Sequence, residues 1–346
     1  MKAVVVHGAK DLRVDEVPAA VPEPDGVLVR VVYGGICGSD LHYAADGRNG
    51  AYPVEEPLTL GHEVVGVVAD VGQSASGAPP IGTRVAIHPA VPCAPAGAAE
   101  PTGLHLTPGG TYLGSASTRP HTQGGFAELL PVGVGQLRVL PDNLPLRRAV
   151  LAEPLAVALH GLARLGDRVR GARVLVSGAG PIGSLAVTGL NHLGARTVVA
   201  ADLQEYPLQV AKSVGATEIV RLSDGETCEP GSFDVVVEAA GAAASLASAL
   251  AAVRPGGAVL QLGMLPGGGV PVPMASLIAK EIALFGSQRF DTELDAAIAL
   301  LAAEPALDAV VSHEFDLGST AEAFACAADS SRSAKTILRL SADPDS

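Results

Sequence analysis

Residues 173 to 193 restrict the possible folds more than any other stretch. Arg173-Val174-Leu175-Val176-Ser177 is a β-branched and apolar run that reads as a buried strand. It passes directly into Gly178-Ala179-Gly180-Pro181-Ile182-Gly183, and Ser184 to Leu193 then reads as a helix. A lone Gly-x-Gly-x-x-Gly says little, but one set between a strand and a helix is a dinucleotide-binding turn. Its glycines permit the tight bend and the approach of a pyrophosphate to the helix N-terminus. Gly178, Gly180, Pro181, Ile182 and Gly183 are therefore expected against the cofactor. The next strand, Thr197 to Ala201, ends at Asp202. A carboxylate there accepts hydrogen bonds from the adenosine ribose hydroxyls and repels a 2′-phosphate. With no Arg immediately after it, NAD is expected rather than NADP.

The alternation continues through a helix at 206–214, strands at 218–220 and 233–238, a helix at 243–253, and strands at 257–262 and 282–286. Strands alternating with helices imply a doubly wound parallel sheet, so the fold class is α/β. Residues 1 to about 90 differ: short apolar segments at 2–7, 12–17, 27–33, 63–71 and 84–88 lie between Pro and Gly clusters. That spacing favours an antiparallel, β-rich domain. The expected organisation is a β-rich domain over 1–150 and 290–346, and a nucleotide-binding domain over 151–289. Helices are expected over 151–163, 291–306 and 319–330, with a last strand over 335–340.

The chemistry is concentrated in residues 34 to 63, where Gly34-Gly35-Ile36-Cys37-Gly38-Ser39-Asp40-Leu41-His42-Tyr43 precedes Leu60-Gly61-His62-Glu63. Cys37, His62 and Glu63 supply a thiolate, an imidazole and a carboxylate. Three such ligands suit a zinc ion and leave a fourth position for water or substrate. A cysteine in an apolar run is more often a small buried hydrophobe, and a His-Glu pair is unspecific. Gly34, Gly35, Gly38 and Gly61 shift the balance, because glycine beside strands marks close backbone approach. Between the ligands, Ser39 and His42 offer a hydroxyl and an imidazole through which a proton can pass to solvent.

Charge and cysteine usage exclude several classes. With 36 acidic residues against 23 Lys and Arg, the net charge of −13 disfavours nucleic acid and anionic membranes as partners. No signal-like leader or membrane-length apolar run is read, and Cys37, Cys93, Cys228 and Cys326 are scattered, so a reducing, cytoplasmic setting is expected. Apolar residues make up 48% of the 346, enough for two sizeable cores.

The stretches GGICGSDLHY and LGHEVVG, with the nucleotide turn, resemble the zinc-containing medium-chain dehydrogenase/reductase superfamily from about Val27 onward. Tyr112 to Ala116, Arg119 to Phe126 and Ala152 to His160 are similar to its L-idonate 5-dehydrogenase and sorbitol dehydrogenase branch. The resemblance implies a GroES-like catalytic domain joined to a Rossmann domain. It also implies hydride transfer between a secondary alcohol and NAD, with the proton leaving through Ser39 and then His42, or through the ribose of the bound nucleotide. Family members use a Glu at the place of Glu153 at the catalytic zinc, either as a ligand or through water, and both roles stay open. Gly241 and Gly263 fall where the family approaches the nicotinamide ribose.

A polyol or aldonate substrate is implied, with polar contacts from Tyr43, Glu153 and Arg289. An Arg at the matching place reaches substrate in polyol dehydrogenases, and a guanidinium suits a carboxylate. His121, in a loop, is a further candidate for substrate contact. The family's second, structural zinc uses four cysteines; the matching positions here are Cys93, Ala96, Ala99 and Thr107, so that zinc is expected to be absent. His105 in this lobe is expected to be exposed. L-idonate is the first-choice substrate; another sugar alcohol, an aminocyclitol or threonine follows. A catalytically silent relative or a zinc-independent quinone reductase is disfavoured by Cys37, His62, Glu63 and Asp202. The family's dimers and tetramers imply a homo-oligomer.

Overall fold

The computed structural model describes residues 1–93, 103–107, 109–224, 227–267 and 269–344. The chain divides into two compact units. One comprises Met1–Glu153, Leu294–Ala328 and Lys335–Ser346, and the other Pro154–Glu293 with Asp329–Ala334.

In the first unit, the strand Gly26–Gly35 is the hub of a seven-stranded sheet. Its Val27, Val29, Val31 and Val32 are all buried, so an apolar run rather than strict alternation marks a strand covered on both faces. Glu63–Val71 pairs with it antiparallel along its length, and Leu129–Gly133 pairs with its first half. Lys335–Arg339, from the far end of the chain, pairs with Tyr33, Gly34 and Gly35. The outer places belong to Arg84–Ile87 and Leu137–Val139 on one side and Val311–Asp316 on the other. A second, three-stranded sheet joins Asp11–Glu16, Lys2–Gly8 and Leu58–Thr59. Phe126, Leu58, Leu60 and Tyr43 fill the core beside the valines. Each such side chain contributes about 1.5–3 kcal/mol when fully removed from water.

The second unit holds six parallel strands: Arg173–Ser177, Thr197–Asp202, Glu218–Arg221, Phe233–Glu238, Val253–Gln261 and Ala283–Gly286. Counted along the chain, they lie in the order third, second, first, fourth, fifth, sixth. The order reverses between the first and fourth strands, and ligands of such sheets bind beyond the strand C-termini at that switch point. Helices Pro181–His192, Glu205–Ser213 and Ala243–Ala252 alternate with the strands.

Several boundaries differ from those the sequence suggests. The helix after the nucleotide turn starts at Pro181, not Ser184, because proline is pre-set for a first helical position and lacks only an N–H the helix would not use. The helices expected over 291–306 and 319–330 shorten to Leu294–Ala303 and Thr320–Ala327. His105 is half-buried in a single 3-10 turn, Leu104–Leu106, rather than exposed. Of the lobe positions, Ala96 and Ala99 lie outside the described residues, whereas Cys93 is exposed.

Candidate functional site

Cys37 sits where the strand Gly26–Gly35 turns into the helix Gly38–Asp46, as the N-cap of that helix. Glu63 opens the neighbouring strand Glu63–Val71, with His62 immediately before it, and the first pair sets Glu63 opposite Gly35. The ladder thus brings together side chains more than twenty residues apart. One ligand atom from each of Cys37, His62 and Glu63 lies within 4.8 Å of the others, and this is the group of that kind found among the described residues.

The glycines explain why the chain can pass so closely. A Cβ on Gly35 would fall 2.1 Å from Glu63 Oε2, so only glycine leaves room for that carboxylate. Gly61 adopts a φ of 94°, which disfavours other residues, and a Cβ there would fall 2.1 Å from the Phe126 ring.

Around the three donors stands a second set of buried groups. Asp40 is fully buried; its carboxylate accepts the Cys37 N–H at 2.9 Å and the Gly61 N–H at 3.2 Å, and its Oδ1 lies 3.9 Å from His62 Nδ1. One carboxylate therefore ties the backbones that carry two of the donors. Tyr112 O–H donates to Glu153 Oε1 at 2.5 Å, and the Tyr112 and His62 rings lie 5.7 Å apart. Glu153 is in the first turn of the helix Ala152–Ala163 and is buried. It falls outside the compact set of three donors. Lys335 Nζ donates to Glu63 Oε1 at 2.7 Å and to the Ile36 carbonyl at 3.0 Å.

The electrostatics are those of a buried, acid-rich site. Burial would push the His62 imidazole down, but Asp40, Cys37 and Glu153 outweigh it and lift it to about 10. Burial raises the Glu153 carboxyl, opposed by His62 and reinforced by Glu63. Surroundings that favour positive charge so strongly also favour a dication. Glu63 Oε2 is buried with no hydrogen-bond partner, a lone pair the protein leaves for another ligand. A sulfur, a nitrogen and an oxygen donor in this arrangement fit zinc with one position open.

The helix that follows Cys37 places Ser39 and His42 three residues apart, hence on one face. Ser39 is half-buried; His42 is exposed and lies 3.5 Å from Asp46. Tyr43 and His121, which the sequence offers as substrate contacts, both make hydrogen bonds within the fold. The buried Tyr43 hydroxyl accepts the Ala116 N–H at 3.0 Å. His121 Nε2 accepts the Glu55 N–H at 3.0 Å, and Nδ1 lies 2.9 Å from the Thr118 carbonyl, so both ring nitrogens are engaged by backbone. Neither the Ala116 nor the Glu55 pairing is visible in sequence, because each of these partners is distant loop backbone.

In the second unit, the three turn glycines have separate reasons. A Cβ on Gly183 would lie 1.9 Å from the Gly178 carbonyl, and one on Gly178 would lie 2.6 Å from the Ala240 nitrogen. Nothing lies within 4 Å of a Cβ on Gly180, the space a pyrophosphate would use at the N-terminus of the helix that starts at Pro181. Ile182, in the same first turn, is half-buried. Asp202 ends its strand; Oδ2 accepts the Ala179 N–H at 2.7 Å and Oδ1 the Gln204 N–H at 2.9 Å. It thus braces the turn in addition to any ribose contact.

Gly241 and Gly263 pack on each other, since a Cβ on Gly263 would fall 2.2 Å from the Gly241 nitrogen. Glu238, which sequence reading passes over, holds this junction. It is fully buried and accepts the N–H groups of Ala240 and Gly241, each at 3.0 Å, and the Gln261 amide. Arg289, half-buried in the same unit, takes a φ of 50°, a backbone region that costs about 1–3 kcal/mol for a residue with a side chain.

Comparison with known proteins agrees with this chemistry. Residues 23–142 match the alcohol dehydrogenase GroES-like domain, and residues 181–303 match the zinc-binding dehydrogenase family. The chain is 35% identical over 344 residues to L-idonate 5-dehydrogenase (NAD(P)(+)) of Escherichia coli (strain K12), covering 97% of this chain and 98% of that one. It is 34% identical over 309 residues to sorbitol dehydrogenase of Bacillus subtilis (strain 168), covering 87% and 86%. The crystal structure of L-idonate 5-dehydrogenase from Escherichia coli superimposes with a TM-score of 0.90 at 34% identity, over 98% of this chain and 97% of that one. A protein of Sinorhizobium meliloti solved with NADP superimposes with a TM-score of 0.87 at 30% identity, over 98% of each chain. With both halves matched and relatives aligned over nearly the whole length, the chain belongs to the zinc-containing medium-chain dehydrogenase/reductase superfamily and is an NAD(P)-dependent oxidoreductase.

Proposed function

We propose that the chain oxidises a secondary alcohol of a polyol or aldonate, L-idonate foremost, with NAD. The observation that carries this reading is the convergence of Cys37, His62 and Glu63 within 4.8 Å, next to a helix that presents Ser39 and His42. Held there by Cys37, His62 and Glu63, zinc would supply Lewis acidity toward an alcohol oxygen, and NAD would supply the hydride acceptor. The residues of the chain do the rest. Asp40 orients Cys37 and His62, as outer carboxylates do at metal sites. Ser39 takes the hydroxyl proton and His42 passes it to solvent, a direction that follows their increasing exposure. Glu153, held by Tyr112 and outside the compact donor set, acts from the next layer by way of water.

The sugar-acid preference draws support from the relative named L-idonate 5-dehydrogenase and from Arg289, whose guanidinium would pair with a carboxylate. The preference for NAD rests on Asp202, followed by Leu203-Gln204-Glu205-Tyr206 with no cation to receive a 2′-phosphate. The test is NADH or NADPH absorbance on a panel of L-idonate, gluconate, sorbitol, xylitol, an aminocyclitol and threonine, with and without a zinc chelator. Chelator-sensitive NAD reduction on L-idonate supports the reading. Turnover confined to sorbitol or threonine, or faster with NADP, refutes its finer part.

A further inference from the structure

The proton path and the ligand set leave one buried group without a role. Lys335 is 3% exposed, at the first position of the strand Lys335–Arg339, where pairing with the end of Gly26–Gly35 sets it beside Ile36. Its ammonium has two acceptors in the structure, Glu63 Oε1 at 2.7 Å and the Ile36 carbonyl at 3.0 Å. The two oxygens of Glu63 are therefore inequivalent: Oε1 is bound to a cation, and Oε2 is buried without a partner. The Ile36 carbonyl fixes the direction of the ammonium. Ile36 is itself fixed, because its N–H donates to the Thr336 carbonyl at 3.0 Å.

We propose that Lys335 is a positioning residue that restricts Glu63 to single-oxygen metal ligation. The proposal rests on the zinc-dehydrogenase reading above and adds a residue to it. A carboxylate with both oxygens free can chelate a metal in bidentate fashion. One whose oxygen accepts a charge-assisted hydrogen bond from an anchored ammonium has only the other to give. The consequence falls on the open position. Three single-atom ligands leave room for a substrate oxygen, whereas a second Glu63 oxygen would occupy part of that room. Lys335 also offsets buried negative charge from Glu63, Cys37 and Glu153, which all act on it. Charge balance alone would make it a structural residue; the asymmetry of the two Glu63 oxygens gives it a role at the metal.

The test uses the full chain with cobalt(II) in place of zinc, because the visible d–d bands of cobalt are several-fold more intense in four-coordinate than in higher-coordinate sites. Wild type should bind one cobalt with intense bands. Lys335→Met should bind one cobalt with bands several-fold weaker, and Lys335→Arg should restore the intensity. If Lys335→Met fails to fold, Lys335→Gln, uncharged and one bond shorter, replaces it with the same expected weakening. A folded Met or Gln variant with the wild-type spectrum overturns the proposal and leaves the zinc site standing. Failure of the wild type to bind cobalt overturns the zinc reading together with it.

Discussion

Replacing Gly35 by alanine tests whether the sheet was shaped for Glu63. A Cβ at this position falls 2.1 Å from Glu63 Oε2 and 3.2 Å from its Cδ, far inside contact distance, so the carboxylate must leave. It cannot leave cheaply, because Lys335 holds Oε1 at 2.7 Å and both residues are buried. Separating a buried ion pair so that one partner is stranded costs about 3–5 kcal/mol. That is a large share of the roughly 5–15 kcal/mol that holds a domain folded. Zinc affinity should fall by more than the ~10–100-fold lost when only a supporting residue is removed, because here a ligand is displaced. Gly38→Ala is the internal control: nothing lies within 4 Å of its Cβ, and a change within about 1 kcal/mol with full zinc affinity is expected. Urea unfolding and competition with a chromophoric chelator read both quantities. Gly35→Ala binding zinc as tightly as wild type and unfolding at the same midpoint would refute the reasoning.

Ser39→Ala should lower kcat on the order of 10²-fold, the usual share of a positioned proton acceptor, while zinc content stays at the wild-type level; an unchanged kcat removes Ser39 from the proton path. Asp202→Ala should weaken NADH binding, followed by fluorescence, by about 1.5–3 kcal/mol, the worth of hydrogen bonds to a charged group. Equal losses for NADH and NADPH would show that Asp202 only braces the turn through Ala179 and Gln204. Asp234 gives a pH test: the Arg254 guanidinium beside it, with the Arg173 N–H, holds its carboxyl below the usual carboxylate range. Its stabilisation is therefore complete above the unfolded pKa of about 3.9 and is lost as pH falls through the lower folded value. The urea-midpoint gap between wild type and Asp234→Asn should narrow as pH drops from about 5 toward 3; a gap independent of pH counts against it.

The parallel half was readable because local and global signals coincide there. Arg173–Ser177, the glycine turn and Asp202 at the end of Thr197–Asp202 all stand where the sequence sets them, since strand, turn and helix are local. The convergence of the candidate metal ligands Cys37, His62 and Glu63 was also legible, because their chemistry is supported by the spacing of the glycines beside them. What escaped reading depends on distant pairing. The helix Gly38–Asp46 was hidden by its glycine start and its polar residues. Lys335 reads as an ordinary strand residue until a ladder closed over 299 positions sets its ammonium against the Ile36 carbonyl. Tyr43 and His121 carry polar atoms that suggest a ligand, and the structure adds a pairing for each that the sequence does not show, with the backbone N–H groups of Ala116 and Glu55. Gly241 and Gly263 look like cofactor positions, and the structure adds an internal cause for both.

Metal content and turnover of Cys37→Ser, measured beside wild type, test the central claim most directly. The account predicts one zinc per wild-type chain, none in the variant, and loss of NAD-dependent alcohol oxidation with NADH binding intact, because the turn Gly178 to Gly183 and Asp202, the residues expected against the nucleotide, belong to the second unit and Cys37 to the first. Two zinc ions in the wild type would contradict the expectation that the structural zinc is absent. Undiminished oxidation by a zinc-free Cys37→Ser variant would contradict the mechanism.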